Sequence, residues 1–533
     1  MIEIPFDGGF WAYAVGDSIL ISRTDDIFYV LYNDTITSLD IPYSGGCYGL
    51  VPFKENKYLT LDNKSVQILN LKTLKSDSVH NVILRNCVED GLAYSLQKFN
   101  NDNVFTFIGG DNCLVVADED LKIRTVLNKQ YGLPNDEVTN SFQAGYMLWA
   151  TTSDGLSKIE LSSPFAKIGS QMGLNGMIND VIEYDGDLYV TTNLGIFYLD
   201  NVDGVAEAKL IKDKSDKIAY SFIEYVSPKS GKTKLLVSTN AGIFEIDGKT
   251  HGLRDWLPGE DVNLLYQSKT HPENIYFSNN NDELYKLVYD RYANKWEKCE
   301  MDFKGWCISI NEDRNGNIWF SLNTQSLVKY SQASGEFTNF VENDESELPS
   351  LAQLMISNVN DTLRFCSEDG IYEFDESRSK FVLSDLLGAY GQDSTHSYWN
   401  VEPYGNGYAV VNYNENIQSY WISYVYDAND KKDVLCTPFN RLPNELFNVA
   451  YADSKGNLWL SAGNTLYCYR EDLIDKEHPY YNEPFNAHVR KVFVNDSIVL
   501  FGGAFKTEEG SITKSQGEND IPVLSYKNNS LLF

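Results

Sequence analysis

The stretch NEDRNGNIWFSLNTQSLVKY, residues 311–330, decides the fold. Its Asp-x-x-Gly-Asn turn breaks the chain, and an apolar, aromatic strand that alternates with period two follows the turn. The same phrase returns as DSKGNLWL at residues 453–460 and, more weakly, as DGDLYVT at residues 185–191. Because a single hairpin cannot bury its own apolar face, this repetition predicts units that stack or form rings.

Eleven units align on the strand before the small turn, at intervals of 39 to 51 residues. The aligned residues are Leu20, Leu59, Phe107, Trp149, Tyr189, Leu236, Tyr276, Trp319, Arg364, Tyr408 and Trp459. A period of about 44 residues with several short strands per unit is typical of a β-propeller blade. The next turn often carries a glycine, as in AGIFEID (241–247), where glycine supplies the positive φ of a tight hairpin.

Eleven units are too many for one ring, since single propellers usually hold about four to eight blades. We predict an all-β chain of tandem β-propellers followed by part of an immunoglobulin-like β-sandwich. Residues 1–167 are predicted to form the C-terminal blades of a first, truncated propeller, residues 168–475 a seven-bladed second propeller, and residues 485–533 an incomplete sandwich. The alternative is one complete ring plus degenerate units that the alignment miscounts.

The charge and the distribution of apolar residues indicate which classes of partner the chain can bind. Lys and Arg number 44 against 75 Asp and Glu, a net charge of −31, so the surface should repel nucleic acid and anionic lipid. No run of 18 or more apolar residues is present to span a membrane. The first residues lack the pattern of a signal peptide, which fits a cytoplasmic protein and equally a chain whose N-terminus is missing.

Signals for catalysis are weak. The eight cysteines form no CxxC pair and lie mostly in apolar strands, so we interpret them as small buried hydrophobes. The six histidines show no metal-binding spacing, and no nucleophile elbow, P-loop or dinucleotide fingerprint is present. Acidic clusters such as Asp25–Asp26 and Asp118–Asp120, like Asp453, lie where strands end, which favours turn capping. We predict no catalytic residue, no metal site and no cofactor.

Two segments and the tail resemble a known family. YGLPNDEVTNSFQAGYMLWATTSDGLSKIEL (131–161) resembles the two-component-regulator propeller repeat through Gly132, Leu133, Pro134, Val138, Leu148, Trp149, Thr152, Gly155 and Leu156. Residues 441–469 are similar to it through Leu442, Pro443, Asn444, Val449, Gly456, Leu458 and Trp459. The tail, VRKVFVNDSIVLFGGAF followed by IPVLSYKNNSLLF, resembles the opening of the triple-tyrosine sandwich domain.

The resemblance implies a place in a larger receptor. Similar proteins are periplasmic sensor regions of membrane-bound regulators, abundant in gut Bacteroidetes and often hybrid two-component systems. It implies two propellers, a sandwich, one membrane helix and then kinase, receiver and DNA-binding parts, with glycan fragments as the signal. This chain departs from the pattern, because several units match poorly and no signal peptide, membrane helix or kinase is present. We therefore expect a segment of a longer receptor.

The aromatic residues have two interpretations. Trp149, Trp319 and Trp459 recur at one position of the repeat, so we expect them to pack between blades. A long segment, GAYGQDSTHSYWNVEPYGNG (388–407), instead adds aromatic side chains outside the repeat, among them His396 and Tyr404. We predict that Tyr398 and Trp399 contribute to ligand binding, since an aromatic face suits a sugar ring; the alternative is packing on a neighbouring blade.

The functional prediction is a non-enzymatic, periplasmic, ligand-binding sensor region of a membrane-anchored receptor of the hybrid histidine kinase type. The expected partners are an oligosaccharide ligand and a second protomer in the full receptor, with no nucleic acid and with membrane contact only through a missing transmembrane helix. One alternative is a propeller scaffold for protein–protein contacts at the cell surface, and another is a regulator with non-kinase output. A third is a propeller lyase or hydrolase, which would need a polar, acid- or histidine-lined central funnel.

Overall fold

The structure is a computed structural model. It describes residues 10–23, 28–33, 35–39, 47–61, 65–79, 95–99, 104–108, 113–129, 132–135, 137–145, 147–161, 163–202, 205–212, 217–323, 326–341, 345–348, 354–414, 416–428, 431–437, 439–473, 489, 491–495, 497–506, 511–513, 516–517, 521–528 and 530–532. The chain divides into two compact units, Met1–Ile474 and Asp475–Phe533.

The first unit begins with four antiparallel sheets whose strands follow one another in chain order. The first sheet contains β1 (Phe10–Val15), β2 (Ser18–Arg23), β3 (Phe28–Tyr32) and β4 (Thr35–Leu39). The second contains β5 (Gly49–Pro52), β6 (Lys57–Leu61), β7 (Val66–Asn70) and β8 (Lys75–Ser78), and the third β9 (Ser95–Phe99), β10 (Val104–Ile108), β11 (Leu114–Ala117) and β12 (Ile123–Leu127). The fourth has three described strands, β13 (Val138–Ala144), β14 (Met147–Thr152) and β15 (Gly155–Ile159).

Six four-stranded sheets of the same topology follow β16 (Phe165–Ile168). The fifth contains β17 (Ile178–Tyr184), β18 (Asp187–Thr192), β19 (Gly195–Val202) and β20 (Val205–Leu210), and the sixth β21 (Ala219–Val226), β22 (Thr233–Thr239), β23 (Gly242–Ile246) and β24 (Leu253–Pro258). The seventh contains β25 (Leu264–Gln267), β26 (Asn274–Ser278), β27 (Glu283–Asp290) and β28 (Lys295–Lys304), and the eighth β29 (Cys307–Glu312), β30 (Ile318–Leu322), β31 (Ser326–Tyr330) and β32 (Phe337–Phe340). The ninth contains β33 (Met355–Val359), β34 (Thr362–Ser367), β35 (Gly370–Asp375) and β36 (Lys380–Leu383), and the tenth β37 (Ser397–Tyr404), β38 (Gly407–Asn414), β39 (Ser419–Ala428) and β40 (Lys431–Leu435).

The eleventh sheet closes a ring. Its strands β41 (Ala450–Ala452), β42 (Leu458–Ala462) and β43 (Thr465–Tyr469) take their fourth strand from β16, with Phe165 opposite Tyr469 and Ile168 opposite Leu466. The Asn448 side-chain amide then donates to the carbonyl of Ile178 at 3.2 Å, so the eleventh sheet meets the fifth. The fifth to eleventh sheets therefore form a closed, seven-bladed β-propeller, and the all-β propeller prediction is confirmed. The domain boundaries stay predictions.

The hydrophobic cores lie between consecutive sheets. Trp319 of the eighth sheet is 1% exposed and packs on Phe365 of the ninth, with ring centroids 5.1 Å apart and an angle of 64° between the rings. Phe381 joins the same core, 5.2 Å from Phe365. Packing between blades, predicted for the repeated tryptophan, is confirmed for Trp319 and for Trp459, which packs on the core between the eleventh and fifth sheets. Trp149 is half-buried.

The turn between the second and third strands has one recurring design. Gly242 has a φ of +141°, and a Cβ atom there would lie 2.6 Å from the carbonyl oxygen of Leu257. Thr239, three residues earlier, donates its hydroxyl to the carbonyl of Gly242 at 2.7 Å and accepts the N–H of Ala241 at 3.1 Å. Only glycine adopts such a φ without strain, so the predicted role of glycine in this hairpin is confirmed.

The predicted role of the turn acids is also confirmed where they are described. Asp118 Oδ1 accepts the N–H groups of Asp120 and Lys122, each at 2.9 Å. Asp453 accepts those of Lys455 and Asn457. The Asp25–Asp26 pair lies outside the described residues.

The cysteine prediction needs one correction. Cys47, Cys113, Cys307, Cys366 and Cys468 are buried, as predicted, but Cys299 is exposed. Cys299 is exposed because it lies on β28, an outermost strand whose residues are mostly exposed.

Five single-turn 3-10 helices complete the described elements: Ser170–Met172, Gly388–Gln392, Phe439–Arg441, Glu471–Leu473 and Tyr526–Asn528. The second unit contains β44 (Val492–Val494), β45 (Ile498–Phe501) and β48 (Leu531–Leu532), which pair in the order β45-β44-β48. Its β46 (Phe505–Lys506) and β47 (Ile512–Thr513) form a separate hairpin. Assignment of this unit to a sandwich stays a prediction.

Candidate functional site

From the fifth sheet to the eleventh, the first strand of each sheet contacts the first strand of the next. At the closing junction the hydroxyl of Tyr451 in β41 accepts the N–H of Glu183 in β17 at 3.0 Å, so these seven inner strands surround the ring axis. Polar side chains near their starts bond to the backbone of the next strand. Asn179 donates to the carbonyl of Ala219 at 2.7 Å, and Asn263 donates to that of Cys307 at 3.4 Å. The inner strands therefore start at the same end of the ring. We call this end the upper face: the residues just before each inner strand and the turns between second and third strands.

The upper face presents large apolar side chains to solvent. These side chains belong to the fifth, sixth, eighth and tenth sheets, and their exposure makes the upper face the candidate binding surface. The exposed fractions are Met177 50%, Leu194 55%, Ile218 37%, Trp306 37% and Ile417 69%.

Hydrogen bonds fix the backbone beneath two of these side chains. The N–H of Met177 donates to Asn193 Oδ1 at 2.7 Å, and the N–H of Asn193 donates back to the carbonyl of Met177 at 3.1 Å. Ile218 and Asn240 repeat this exchange at 3.2 and 3.1 Å in the next sheet. Because the backbone is held while the side chain stays exposed, a ligand meets a surface that is already ordered.

A polar cluster lies on the same face, between the sixth and seventh sheets. The side-chain amide of Asn280 donates to both carboxylate oxygens of Asp261, at 3.0 and 2.9 Å, and lies 2.9 Å from the hydroxyl of Tyr220. Burial, the largest cause, and the Asp261 charge raise the pKa of Tyr220, whereas the bond to Asn280 lowers it. The phenol is therefore neutral at pH 7, so the cluster can both donate and accept hydrogen bonds.

The two predicted binding residues are placed differently. Tyr398 is fully buried, and its hydroxyl donates to the backbone carbonyls of Tyr390 and, at 3.1 Å, Asp393. This is the packing arrangement weighed as the alternative. Trp399, the third residue of β37, is half-buried near the upper face, edge-on to Tyr420 at 6.1 Å. Ligand binding by either residue stays a prediction.

The other aromatic residues of this segment are largely internal. Tyr404 is 4% exposed and packs near Tyr424, with ring centroids 5.8 Å apart. The His396 ring lies 4.8 Å from that of Tyr398, and its Nε2 is buried without a hydrogen-bond partner among the described residues. Burial lowers the pKa of His396, and the nearby Asp393 carboxylate opposes that shift.

Sequence reasoning did not single out Met177, Ile218 or Trp306. Each lies directly before an inner strand, where an apolar residue looks like part of the strand. A usable signal is the asparagine of Thr-Asn-x-Gly, at Asn193 and Asn240, because its side chain holds the residue that precedes the inner strand.

Acidic side chains of the inner strands join neighbouring sheets. Asp180 Oδ2 accepts the N–H of Phe222 at 2.8 Å, and burial raises the pKa of Asp180 to about 6. Glu402 Oε1 accepts the N–H of Ala452 at 3.3 Å, and burial raises the pKa of Glu402 to about 7. These carboxyl groups bind backbone across the junctions between sheets.

Two cavities lie elsewhere in the ring. One of about 280 Å³ between the eighth and ninth sheets is lined by Asp313, Trp319 and Phe374. Another of about 530 Å³ between the fifth and sixth sheets is lined by Tyr198 and His251, whose rings stack 3.7 Å apart at 8°. His251 Nδ1 also lies 2.9 Å from the hydroxyl of Tyr189, so the polar edge of that ring is already engaged.

The described part of the chain was also compared with the requirements of a metal site and of a membrane-spanning helix. It contains no group of three or more His, Cys, Asp or Glu side chains placed to hold a metal ion. It also contains no helix of the length and apolarity needed to cross a membrane.

Comparison with known proteins supports the fold. No protein-family model matches the chain, and no curated protein does. The extracellular domain of the hybrid two-component system BT3049 from B. thetaiotaomicron is similar at 14% identity with a TM-score of 0.61, over 91% of this chain and 63% of that structure. The extracellular domain of BT4673 from the same organism is similar over 93% of this chain and 74% of its own length, at 12% identity and a TM-score of 0.44. The chain thus spans less than two thirds of the BT3049 domain, and the BT3049 similarity establishes the fold alone.

Proposed function

We propose that this chain is the ligand-binding sensor region of a membrane-anchored signalling receptor of the hybrid two-component type. The region would lie on the periplasmic side of the inner membrane, with a glycan fragment as ligand and control of polysaccharide-utilisation genes as output. The resemblance of the repeats and the likeness of the fold to the BT3049 extracellular domain support this assignment. We assign no catalytic role to the segment.

The side chains of the upper face are the main structural support for a glycan ligand. A sugar ring offers an apolar C–H face and a rim of hydroxyl groups, so it needs an apolar or aromatic surface beside donors and acceptors. The exposed side chains of Ile218 and Trp306 supply the apolar surface. The cluster of Tyr220, Asn280 and Asp261 supplies the hydrogen-bond donors and acceptors. Binding residues commonly lie on loops that a rigid scaffold holds in place, as the loops of the upper face are held by the ring.

Signalling requires that the ligand favour one arrangement of the receptor over another. In the complete receptor we propose a homodimer whose protomers change their relation across the membrane when the ligand binds. In a regulator whose output is not a kinase, the same ligand-dependent change between the protomers would control the output.

The test is binding of an oligosaccharide panel by calorimetry, with two variants of the upper face. We expect Trp306→Ala to weaken binding by about tenfold or more, because an aromatic contact contributes on the order of 1–2 kcal/mol. Trp399→Ala should weaken binding if the predicted role of Trp399 holds. The matched control is Trp256→Ala, a half-buried tryptophan on the outer strand β24, which should keep the affinity of the unaltered chain.

The binding results distinguish a glycan sensor from a second candidate function. The exposed apolar side chains also favour a second candidate, a scaffold for protein–protein contacts at the cell surface. If no oligosaccharide binds, or if Trp306→Ala and Trp256→Ala bind equally well, the glycan proposal fails and the scaffold function becomes the better one.

A further inference from the structure

The two ends of the ring differ in charge. The described part of the upper face, with each connection that leads into an inner strand taken whole, contains ten Asp and Glu side chains but three Lys and Arg. The acids are Glu260, Asp261, Asp282, Glu345, Glu347, Glu368, Asp369, Asp385, Asp393 and Glu445, and the bases are Lys212, Lys217 and Arg441. The described turns at the opposite end, which we call the lower turns, contain eight acids and eight bases. The excess of negative charge is therefore a property of the upper face and not of every surface of the ring.

Two of these carboxylates lie beside side chains that the proposed glycan site uses. The N–H of Gly305 donates to the carbonyl of Asp282 at 2.7 Å, so the exposed Asp282 lies next to Trp306. Asp261 is half-buried, and its two oxygens accept hydrogen bonds from the Asn280 amide at 3.0 and 2.9 Å. Among the described residues, neither Asp261 nor Asp282 forms an ion pair with a lysine or an arginine. A ligand at this position therefore meets two carboxylates that no base neutralises.

The bases near this face are engaged or balanced within the chain. Arg441 Nη1 lies 2.8 and 2.6 Å from the two carboxylate oxygens of Glu160, which precedes β16. Lys304, the last residue of β28, lies opposite Glu283 in the seventh sheet, so this pair adds no net charge. In its described part the upper face has no arginine besides Arg441, and that guanidinium already binds a carboxylate.

Ion pairs remove little of the imbalance. Lys298 Nζ lies 2.7 Å from Glu260 Oε2, and Lys380 pairs with Glu347. When these two acids and Arg441 are left out of the count, eight described acids of the upper face still stand against two lysines.

Acidic sugars need cationic partners on the protein. Carboxylate and other anionic groups are bound most strongly by arginine and lysine, which form charge-assisted hydrogen bonds, whereas like charges that face each other reduce affinity. Several carboxylates on one face also add to a negative potential over it. The hydroxyl groups of a neutral sugar, by contrast, can donate to Asp261 and accept the phenolic O–H of Tyr220. The chemistry of the upper face therefore suits hydroxyl groups and opposes anions.

We propose that the upper face selects neutral oligosaccharides and rejects those that carry carboxylate or sulfate groups. This selectivity presupposes the proposed sensor function and narrows its ligand to one chemical class. The carboxylates serve two purposes, since Asp261 accepts hydroxyl groups of the ligand while the other acids of the face weaken the binding of anionic competitors.

The experiment is calorimetric titration of the whole chain with a panel of neutral and acidic oligosaccharides. The panel includes mannan and mannuronan fragments of equal length and linkage, which differ only in the oxidation state of the exocyclic carbon. In about 20 mM NaCl we expect the tightest ligand to be neutral and every acidic member to bind about tenfold or more weakly. The difference should shrink in about 500 mM NaCl, because salt screens the repulsion between charges.

Two variants test whether the charge of the upper face causes the preference. Asp282→Asn removes one charge of that face and should narrow the difference between neutral and acidic ligands by about twofold in low salt. Asp361→Asn is the matched control, because Asp361 is also an exposed aspartate with positive φ, +57° against +63° for Asp282, but lies in a lower turn. The control should leave the difference unchanged.

The results separate this selectivity from the sensor function itself. An acidic oligosaccharide as the tightest ligand would overturn the selectivity and leave the sensor function standing. A neutral preference that is equal at both salt concentrations, or no smaller in Asp282→Asn than in Asp361→Asn, would also overturn it, since shape and not charge would then select the ligand. Binding of no member of either class would refute the sensor function, and the selectivity with it.

Discussion

The indole N–H of Trp319 donates to Asp313 Oδ2 at 2.8 Å, across the turn that begins the decisive sequence phrase. The other oxygen of Asp313 accepts the N–H groups of Asn315 and Asn317, each at 2.9 Å. One carboxylate therefore closes the turn and fixes the tryptophan that packs between the eighth and ninth sheets. The same geometry recurs at Asp453, where the indole of Trp459 donates at 2.9 Å. The repeated phrase is thus a folding device, which explains its recurrence without a binding role.

Removing this carboxylate should destabilise the ring. We expect Asp313→Ala to lower the free energy of unfolding by about 2–3 kcal/mol, because two backbone donors, the Asn317 side-chain amide and the indole lose their acceptor. Asp290→Ala is the matched control, since Asp290 caps only the N–H groups of Tyr292 and Ala293 in an exposed turn. That change should lower the free energy of unfolding by clearly less than Asp313→Ala does. Urea denaturation measures both, and equal losses would refute the role given to the indole bond.

The glycine of the second turn gives a second test. In Gly242→Ala the new Cβ would lie 2.6 Å from the Leu257 carbonyl at a φ of +141°, so we expect a loss of about 2–4 kcal/mol. Gly186→Ala is the comparison, because Gly186 also has positive φ, +93°, but no atom within 4 Å of the new Cβ. Its loss should be about 1 kcal/mol. A melting series that finds the two variants alike would contradict the steric argument.

The buried Glu402 makes stability depend on pH. Burial raises its folded-state pKa from 4.5 to about 7, so the folded chain binds the proton more tightly than the unfolded chain does. The stability that this proton contributes is complete below pH 4.5 and is lost as the pH rises through about 7, by about 3 kcal/mol in total. Unfolding free energies at pH 5 and pH 8 should therefore differ less in Glu402→Gln than in the unaltered chain. An identical pH difference in the two proteins would show that Glu402 does not titrate in this window.

The ninth sheet uses an ion pair where most ring sheets use an aromatic residue. Arg364 is 8% exposed, and its Nη1 lies 3.0 Å from the carboxylate of Glu373. Glu373→Ala would leave a buried charge without its partner, so we expect a loss of about 3 kcal/mol or more. The exposed pair of Lys54 and Asp120, 2.8 Å apart, is the control, and Asp120→Ala should change the free energy of unfolding much less than Glu373→Ala does. Chemical denaturation compares the two, and a small effect of Glu373→Ala would mean that solvent reaches Arg364.

The sequence predicted the repeating architecture well. All eleven aligned residues, from Leu20 to Trp459, lie in the second strand of a sheet. That strand is the easiest to recognise, since it is buried on both faces and follows a turn with fixed chemistry. The closing strand β16 was harder, because Phe165 pairs with Tyr469 far along the chain and no local pattern shows such a partner.

The candidate site was predicted less well. Tyr398 and Trp399 are adjacent in sequence, yet one is buried beneath the carbonyl of Asp393 and the other lies half-buried near the upper face. Alternation places neighbouring side chains on opposite faces of a strand, but only the neighbouring sheets determine which face is covered. Trp306 and Ile218 escaped notice for the same reason, since exposure depends on contacts between distant residues.

Hydrogen–deuterium exchange with and without the tightest oligosaccharide of the panel tests the central claim most directly. Slower exchange is expected in peptides that cover residues 173–180, 217–221 and 305–309, where Met177, Ile218 and Trp306 lie on the upper face. Peptides that cover the turns at the other end, such as residues 247–252 and 313–317, should exchange at unchanged rates. Protection confined to those lower turns, or no protection anywhere in the ring, would contradict ligand sensing by the upper face.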